Sequence, residues 1–339
     1  MRTPPRDQKM PRKKKPFRLA DLPFIAQKMV LLMLEPSQVF ELSLISFPIK
    51  QNVSIMKTLV AEKVVWQIPQ LYRQFPNFSV KIAFKNCLYT IKPKELKNQT
   101  PLMIINNRKL VVNKMNNVIE IQCGKGVEET MRMFEQVVQH CTTVFKNVNF
   151  HLNSAIFILK NPVFELPKRF SSVKLVCQEL SQDQIKYLFE DFPTDKLILE
   201  KTFVNVSNGP VNLDLKLPEI EIGSCDWLSF DSILKMKTKR LKINQITPRL
   251  KLKDLENFVK TWFTGGLNSL QNFSIKFYCR AQEKGRKTMF RDDFRENLKK
   301  AGMRVRTESN GSLIKLRRRD GIRVEISFYE YFKFNVIGK

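Results

Sequence analysis

The residues best suited to chemistry in this chain are few, and their spacing argues against catalysis. There are two histidines, His140 and His151. Neither stands in a Ser, His and Asp order that would pair a nucleophile with its base, and neither belongs to a metal-ligand spacing such as HExxH. Helical periodicity assigns His140 to the polar side of its helix, and strand alternation points His151 outward. Six cysteines, Cys87, Cys123, Cys141, Cys177, Cys225 and Cys279, are spread along the chain without a CxxC pair. That is neither a disulfide framework nor a zinc site, and it fits mostly buried thiols in a reducing compartment. Gly124-Lys125-Gly126 precedes a helix, but it lacks the spacing of a phosphate loop and the Ser or Thr that would hold magnesium, so it reads as a helix entry turn. No cofactor and no metal are expected.

Charge poses a different question. The 339 residues carry a net charge of +27, of which residues 1–18 supply +7 from eight Lys or Arg and one acid. The segment PRKKKP at residues 11–16 fits a nuclear localisation signal, and it equally fits a solvated, disordered arm that meets anions weakly. A second basic region, from Arg280 to Arg319, holds 14 Lys or Arg against five acids and includes Arg317, Arg318 and Arg319. Clusters of this kind suit phosphate contacts. The chain has no recognition helix, zinc finger or aromatic-basic RNA motif, so nucleic-acid binding is expected to be weak and non-specific.

The elements that would hold any site begin with the stretch DLPFIAQKMVLLMLEPSQVFELSLIS at residues 21–46. Charged residues and Pro36 interrupt it, so it cannot span a membrane, and no small-residue cleavage site makes it a secretory signal. Ile25, Met29, Leu32 and Met33 recur at helical spacing, and Glu35-Pro36 ends one helix and opens another. Two short helices cannot hide so much apolar surface, which leaves two readings: a hairpin packed on its own protein, or a module covered by a partner.

Residues 60–125 alternate apolar and polar positions between turn residues, as a small antiparallel sheet requires. The following helix carries Val127, Met131, Phe134, Val138, Cys141 and Phe145 on one stripe. From Val148 the chain repeats. Windows starting at Val148, Val173, Leu197, Ile220 and Leu241, spaced 25, 24, 23 and 21 residues apart, each place apolar residues first and third. The pattern is close to that of leucine-rich repeats. An ordinary α/β layer protein is the competing reading. Ser181 with Gln184 predicts a capped helix over SQDQIKYLFED, and Leu252, Leu255, Phe258 and Trp262 predict another that ends at Gly265-Gly266.

Leu22-Pro23, the apolar helix ending near Leu34, the Pro36 turn and Leu42-Ser43-Leu44 followed by Ser46 resemble an F-box, the helical module that docks onto the Skp-type adaptor of a cullin ubiquitin ligase. Where that motif continues in a last helical turn, this chain has Phe47-Pro48, and Pro48 is expected to cut the turn short. Trp262 with Gly265-Gly266, the strand after them, and Asp320-Gly321 before a closing strand pair resemble the F-box associated domain of the large nematode F-box family.

The expected fold is therefore α/β, with a disordered basic tail at 1–18, an F-box at 19–53, a small antiparallel β region at 60–125, and an irregular leucine-rich-repeat-like solenoid at 126–339. The resemblance implies a non-catalytic substrate-recognition subunit of a Skp-cullin-F-box ubiquitin ligase, cytoplasmic or nuclear. A basic nucleic-acid-associated or nuclear interaction scaffold is the alternative. Adaptor contacts are expected at Leu22, Pro23, Ile25, Met29, Val39, Leu42 and Leu44. Strand alternation places Asn149, His151, Lys174, Ile198, Glu200, Glu221, Lys242, Asn244 and Lys276 on one open face, where a protein target of unknown identity is expected.

Overall fold

A computed structural model describes residues 18–68, 78–95, 102–105, 108–123, 126–146, 148–154, 169–176, 179–205, 209–244, 251–276, 284–307, 313–328 and 331–338. The basic tail through residue 17, Gly124-Lys125, Cys177 and Cys279 lie outside them.

A 3-10 turn over Leu19–Asp21 leads into α1 (Phe24–Met33), α2 (Pro36–Ile45) and α3 (Phe47–Met56). Pro36 occupies the first turn of α2, where its missing N–H costs no helical bond, and the Glu35 N–H donates to Gln38 Oε1 at 3.0 Å. Pro48 does the same for α3. Instead of cutting the third helix short it starts it, with the Ser46 hydroxyl accepting from the Ile49 N–H at 3.5 Å. A proline breaks a helix only where an N–H would have had a partner.

Strands β1 (Lys63–Ile68), β2 (Ser79–Ala83), β3 (Leu88–Lys94), β4 (Leu102–Ile105), β5 (Arg108–Met115) and β6 (Val118–Gln122) precede α4 (Val127–Val144). The expected small antiparallel sheet is corrected in one respect: β3 and β6 run parallel. After α4 come β7 (Asn149–Ser154), β8 (Ser172–Leu175), β9 (Glu179–Ser181), α5 (Gln182–Glu190), β10 (Lys196–Leu199), β11 (Phe203–Asn205), β12 (Glu219–Ile222), α6 (Phe230–Leu234), β13 (Arg240–Ile243), α7 (Leu252–Phe263) and β14 (Asn272–Lys276). The chain closes with α8 (Lys284–Lys300), β15 (Arg306–Thr307), β16 (Leu313–Arg317), β17 (Arg323–Phe328) and β18 (Tyr331–Gly338).

Sixteen of these strands form one mixed sheet in the order β15-β16-β17-β18-β14-β13-β12-β10-β8-β7-β1-β2-β3-β6-β5-β4. Its middle, from β1 through β7, β8, β10, β12 and β13 to β14, is parallel, and antiparallel pairs dominate both ends. The repeat windows set this middle. Val173 and Leu175, Leu197 and Leu199, Ile220 and Ile222, Leu241 and Ile243, and Phe273 and Ile275 are all buried on one face. Because β1 pairs with β2 on one side and β7 on the other, the sheet is continuous across residue 125.

Helices cover the buried face. α5 begins as its sequence requires, with Ser181 and Gln184 each accepting from the other's backbone N–H at 3.3 and 2.9 Å. In α7, Leu255, Phe258 and Trp262 face the core, and Gly265 takes φ +96, a conformation that favours glycine, to turn the chain away. Gly223 has a different reason. A Cβ there would stand 3.1 Å from Lys201 N and 3.2 Å from Leu199 O, so a side chain would require the neighbouring backbone to give way slightly.

Candidate functional site

A helix that is apolar all round is normally buried all round. α1 is not. Its buried side holds Gln27 and Leu31, while Ile25 is 74% exposed, Met29 63% and Met33 84%, with Phe24 and Leu32 exposed beside them. Gln27, an interruption of the apolar run in the sequence, fixes this orientation. Its Nε2 donates to the carbonyls of Ala20 and Leu22 at 3.1 and 2.6 Å, and its Oε1 accepts from Asn52 of α3. Burying the amide satisfies it and turns Ile25, Met29, Leu32 and Met33 to solvent. Ile45, Phe47 and Ile55 of the same three-helix unit are also exposed.

The residues expected to contact an adaptor therefore divide. Pro23, Ile25 and Met29 are exposed, and Leu22 and Leu42 are half-buried. Val39 and Leu44 are corrected: both lie in the chain's own core, so a partner could reach them only by unpacking α2. Sequence periodicity could not separate the two groups, because α2 is apolar on nearly every side. Phe24, Leu32 and Met33 belong to the exposed set and were not among the expected contacts.

The core beneath α2 also corrects the reading of His140. It is fully buried under α2, with Nε2 3.0 Å from the Ser43 hydroxyl and its ring edge-on to Phe40. Burial first, and the charge of Lys50 second, push its pKa down from 6.5 to about 3. The unfolded chain therefore takes up a proton near pH 6.5 that the folded chain refuses. Stability contributed by the neutral ring is complete above pH 6.5 and is lost as pH falls towards 3, by about 2 kcal/mol at pH 5. Denaturant midpoints at pH 7.5 and 5.0 check this: the acid-side loss should shrink by about that amount in His140→Gln, and an equal loss in both proteins would contradict it.

The parallel strands present the second surface. Asn153, Lys174, Ile198, Glu221, Lys242 and Ser274 occupy one continuous row across β7, β8, β10, β12, β13 and β14. Asn149, His151, Glu200, Asn244 and Lys276 stand on the same face in neighbouring rows, half-buried or exposed. Opposite charges meet there: Lys174 with Glu200 at 2.8 Å, and Lys242 with Glu221 at 2.9 Å. For Glu221, burial raises the pKa, but bonds from Asn244 and Lys242 outweigh it and hold the carboxyl below its ordinary value. His151 is half-buried and lies 2.6 Å from the Ser172 hydroxyl.

Arg318, counted in the sequence among cations suited to phosphate, is buried and internally used. It donates to Asp320 at 2.6 to 3.0 Å, to the Trp262 carbonyl at 3.2 Å and to Asn268 Oδ1 at 2.9 Å, and its guanidinium lies 5.3 Å from the Trp262 ring centre. Trp262 and Asp320 are thus two ends of one lock between α7 and the C-terminal strands.

Among the described thiols, three are made poor nucleophiles by burial. Cys141 and Cys225 are buried, Cys87 and Cys123 half-buried, and burial pushes Cys123 and Cys225 up to about 12. Among the described residues no group of three His, Cys, Asp or Glu side chains could hold a metal ion. No helix among them is long and apolar enough to cross a membrane.

These features define a mixed α/β protein with an uncovered apolar helix face at one end and a charged, open sheet face along its middle. Residues 211–275, which run from ahead of β12 through α6, β13 and α7 into β14, match the F-box associated family. No curated protein and no solved structure matches the chain.

Proposed function

We propose that this chain is the substrate-recognition subunit of a Skp-cullin-F-box ubiquitin ligase, working in the cytoplasm or nucleus. The exposed apolar face of α1 is the observation that carries the reading. The F-box-like order of residues 22–46 and the F-box associated match at 211–275 support it. In this role Leu22, Pro23, Ile25, Met29 and Leu42, with Phe24, Leu32 and Met33, meet a Skp-type adaptor. The open sheet face, with the repeat-like strands read as a short solenoid, holds the target protein through Asn149, His151, Lys174, Ile198, Glu200, Glu221, Lys242, Asn244 and Lys276. The subunit needs no catalytic group of its own. Holding target lysines beside a charged conjugating enzyme raises their effective concentration, and the thioester chemistry belongs to the partners.

Because Ile25 and Met29 face solvent, replacing both by Asp leaves the fold intact. Covering each in an interface is worth at least about 1.5 kcal/mol, so losing two weakens adaptor binding about a hundred-fold. Co-purification of a Skp-type adaptor with Ile25→Asp/Met29→Asp, beside wild type, is the measurement. Undiminished capture would remove the reading.

A further inference from the structure

Several cations of the open sheet face are ion-paired. Lys196 and Arg240 share Glu219 at 3.5 and 2.7 Å, Lys315 meets Glu325 at 3.6 Å, and Lys92 and Lys94 share Glu120 at 3.2 and 2.6 Å. Lys174 and Lys242 have the partners already described. Lys81, in the middle of β2, has no such partner among the described residues; Lys63, Lys276 and Lys333 on the same face also lack one but are exposed, whereas Lys81 is half-buried. Its cross-strand neighbours are Val65 and Thr90, and no carboxylate of the described residues lies within ion-pairing distance.

Lys81 lines a cleft of about 550 Å³, together with Gln67, Ser79, Thr90, Lys92 and Asn153. Among the described residues no carboxylate lines it. Its polar side chains carry two ammoniums, three hydroxyls, with Ser154 the third, and two amides, and the Ser79 hydroxyl donates to Gln67 Oε1 at 2.9 Å, which leaves the Gln67 amide nitrogen as a donor. Nearby Glu120 is buried and already committed. Burial raises its pKa, but bonds from Lys94, Asn113 and Lys92 hold it below the ordinary carboxylate value, and one carboxylate cannot neutralise two ammoniums. The position matters as well. The cleft sits at the carboxyl ends of β1 and β7, where β1 has an antiparallel neighbour on one side and a parallel one on the other. Crevices outside the carboxyl ends of parallel strands are where open sheets commonly receive ligands.

We propose that this cleft is an anion subsite that receives one carboxylate or phosphate carried by a side chain of the target protein. It rests on the reading of the open face as the target surface and specifies its chemistry. An incoming anion would gain charge-assisted hydrogen bonds from Lys81 and from the hydroxyl and amide donors around it. A volume of this size holds a side chain and its flanking backbone. Nucleic acid fits less well: among the described lining residues the one aromatic ring, Phe78, is buried and stacked on Phe134 at 6.3 Å, and it offers no base platform.

The test uses the full chain and labelled peptides of one sequence that carry Ser, Asp or phosphoserine at the central position, with a short single-stranded oligonucleotide in parallel. Wild type should bind the Asp or the phosphoserine peptide at least ten-fold more tightly than the Ser peptide, and which of the two binds better identifies the source of the anion. Lys81→Met should remove that preference, Lys81→Arg should keep part of it, and Lys333→Met, on the same face but distant and outside the proposed target contacts, should leave it unchanged. Equal binding of all three peptides, an unaltered preference in Lys81→Met, or tighter binding of the oligonucleotide with the same Lys81 dependence would each overturn the proposal. Adaptor capture, measured on the same variants, keeps the two readings apart. A preference that depends on Lys333 but not on Lys81 sinks the subsite and leaves the receptor standing. A Lys81-dependent preference in a chain that captures no adaptor does the reverse.

Discussion

Phe40→Ala should lower stability by about 3–5 kcal/mol, and the loosening should spread through both the helical module and the sheet it rests on. Phe40 is fully buried. Its ring stacks on Phe145 at 5.4 Å and meets Tyr89 and His140 edge-on at 6.2 and 6.0 Å, with Phe84 at 6.1 Å. These partners come from β3, from α4 and the residue after it, and from the turn between β2 and β3, so one side chain of α2 joins three parts of the chain. Polar contacts run alongside. Glu41 accepts from the Tyr89 hydroxyl and from Lys114 Nζ at 2.5 Å. Burial first, then Glu41, pushes the Tyr89 pKa up, so its hydroxyl keeps its proton and donates. Removing the Phe40 ring leaves a cavity among aromatic groups that cannot collapse without moving the sheet. For a chain of this length the loss corresponds to a fall in Tm of roughly 4–7 °C. Amide exchange should quicken in residues 36–56 and in β2 and β3 together. A response confined to the helices would mean that the F-box-like module folds separately.

The second large effect is expected at Arg318, which is 7% exposed. Arg318→Ala strands the Trp262 carbonyl and Asn268 without their donor and removes the bidentate partner of Asp320. Breaking a buried charge pair costs about 3–5 kcal/mol, and because Asp320 is itself partly exposed to water the loss should lie near 3 kcal/mol. Arg318→Lys should recover less than half. An ammonium is a point charge, unable to span Asp320, Asn268 and the Trp262 carbonyl at once or to lie flat over the indole. Arg317→Ala and Arg319→Ala, at exposed positions, should change stability by no more than about 0.5 kcal/mol. Denaturant unfolding of the four variants decides it. Full recovery with Lys, or equal losses at all three arginines, would show that charge alone matters there.

The sequence by itself determined the elements whose signal is local. Apolar residues at the first and third positions of each window predicted the parallel strands and their buried face, since alternation in a strand leaves no other choice once one face is covered. Ser181 with Gln184 predicted the start of α5, and Gly265 the end of α7, because caps and left-handed turns are settled within a few residues. The common face of Lys174, Glu221 and Lys242 followed from the same alternation.

Tertiary structure decided whatever depended on distant chain. α1 and α2 are apolar on almost every side, so their sequences could not say that Val39 and Leu44 turn inward while Ile25 and Met29 turn out; the amide of Gln27 and the ring of Phe40, each satisfied by residues of other elements, made that choice. His140 reads as a surface residue until α2 packs over it. Arg318 reads as a free cation until Trp262 and Asn268 arrive from 56 and 50 residues away. The pairing of β1 with β7 joins segments 86 residues apart, and it alone makes one sheet of two stretches that the sequence presents separately. Local patterns report the conformation a segment prefers. Which face is covered, and which charge is left without a partner, is set by the free energy of burying distant residues together.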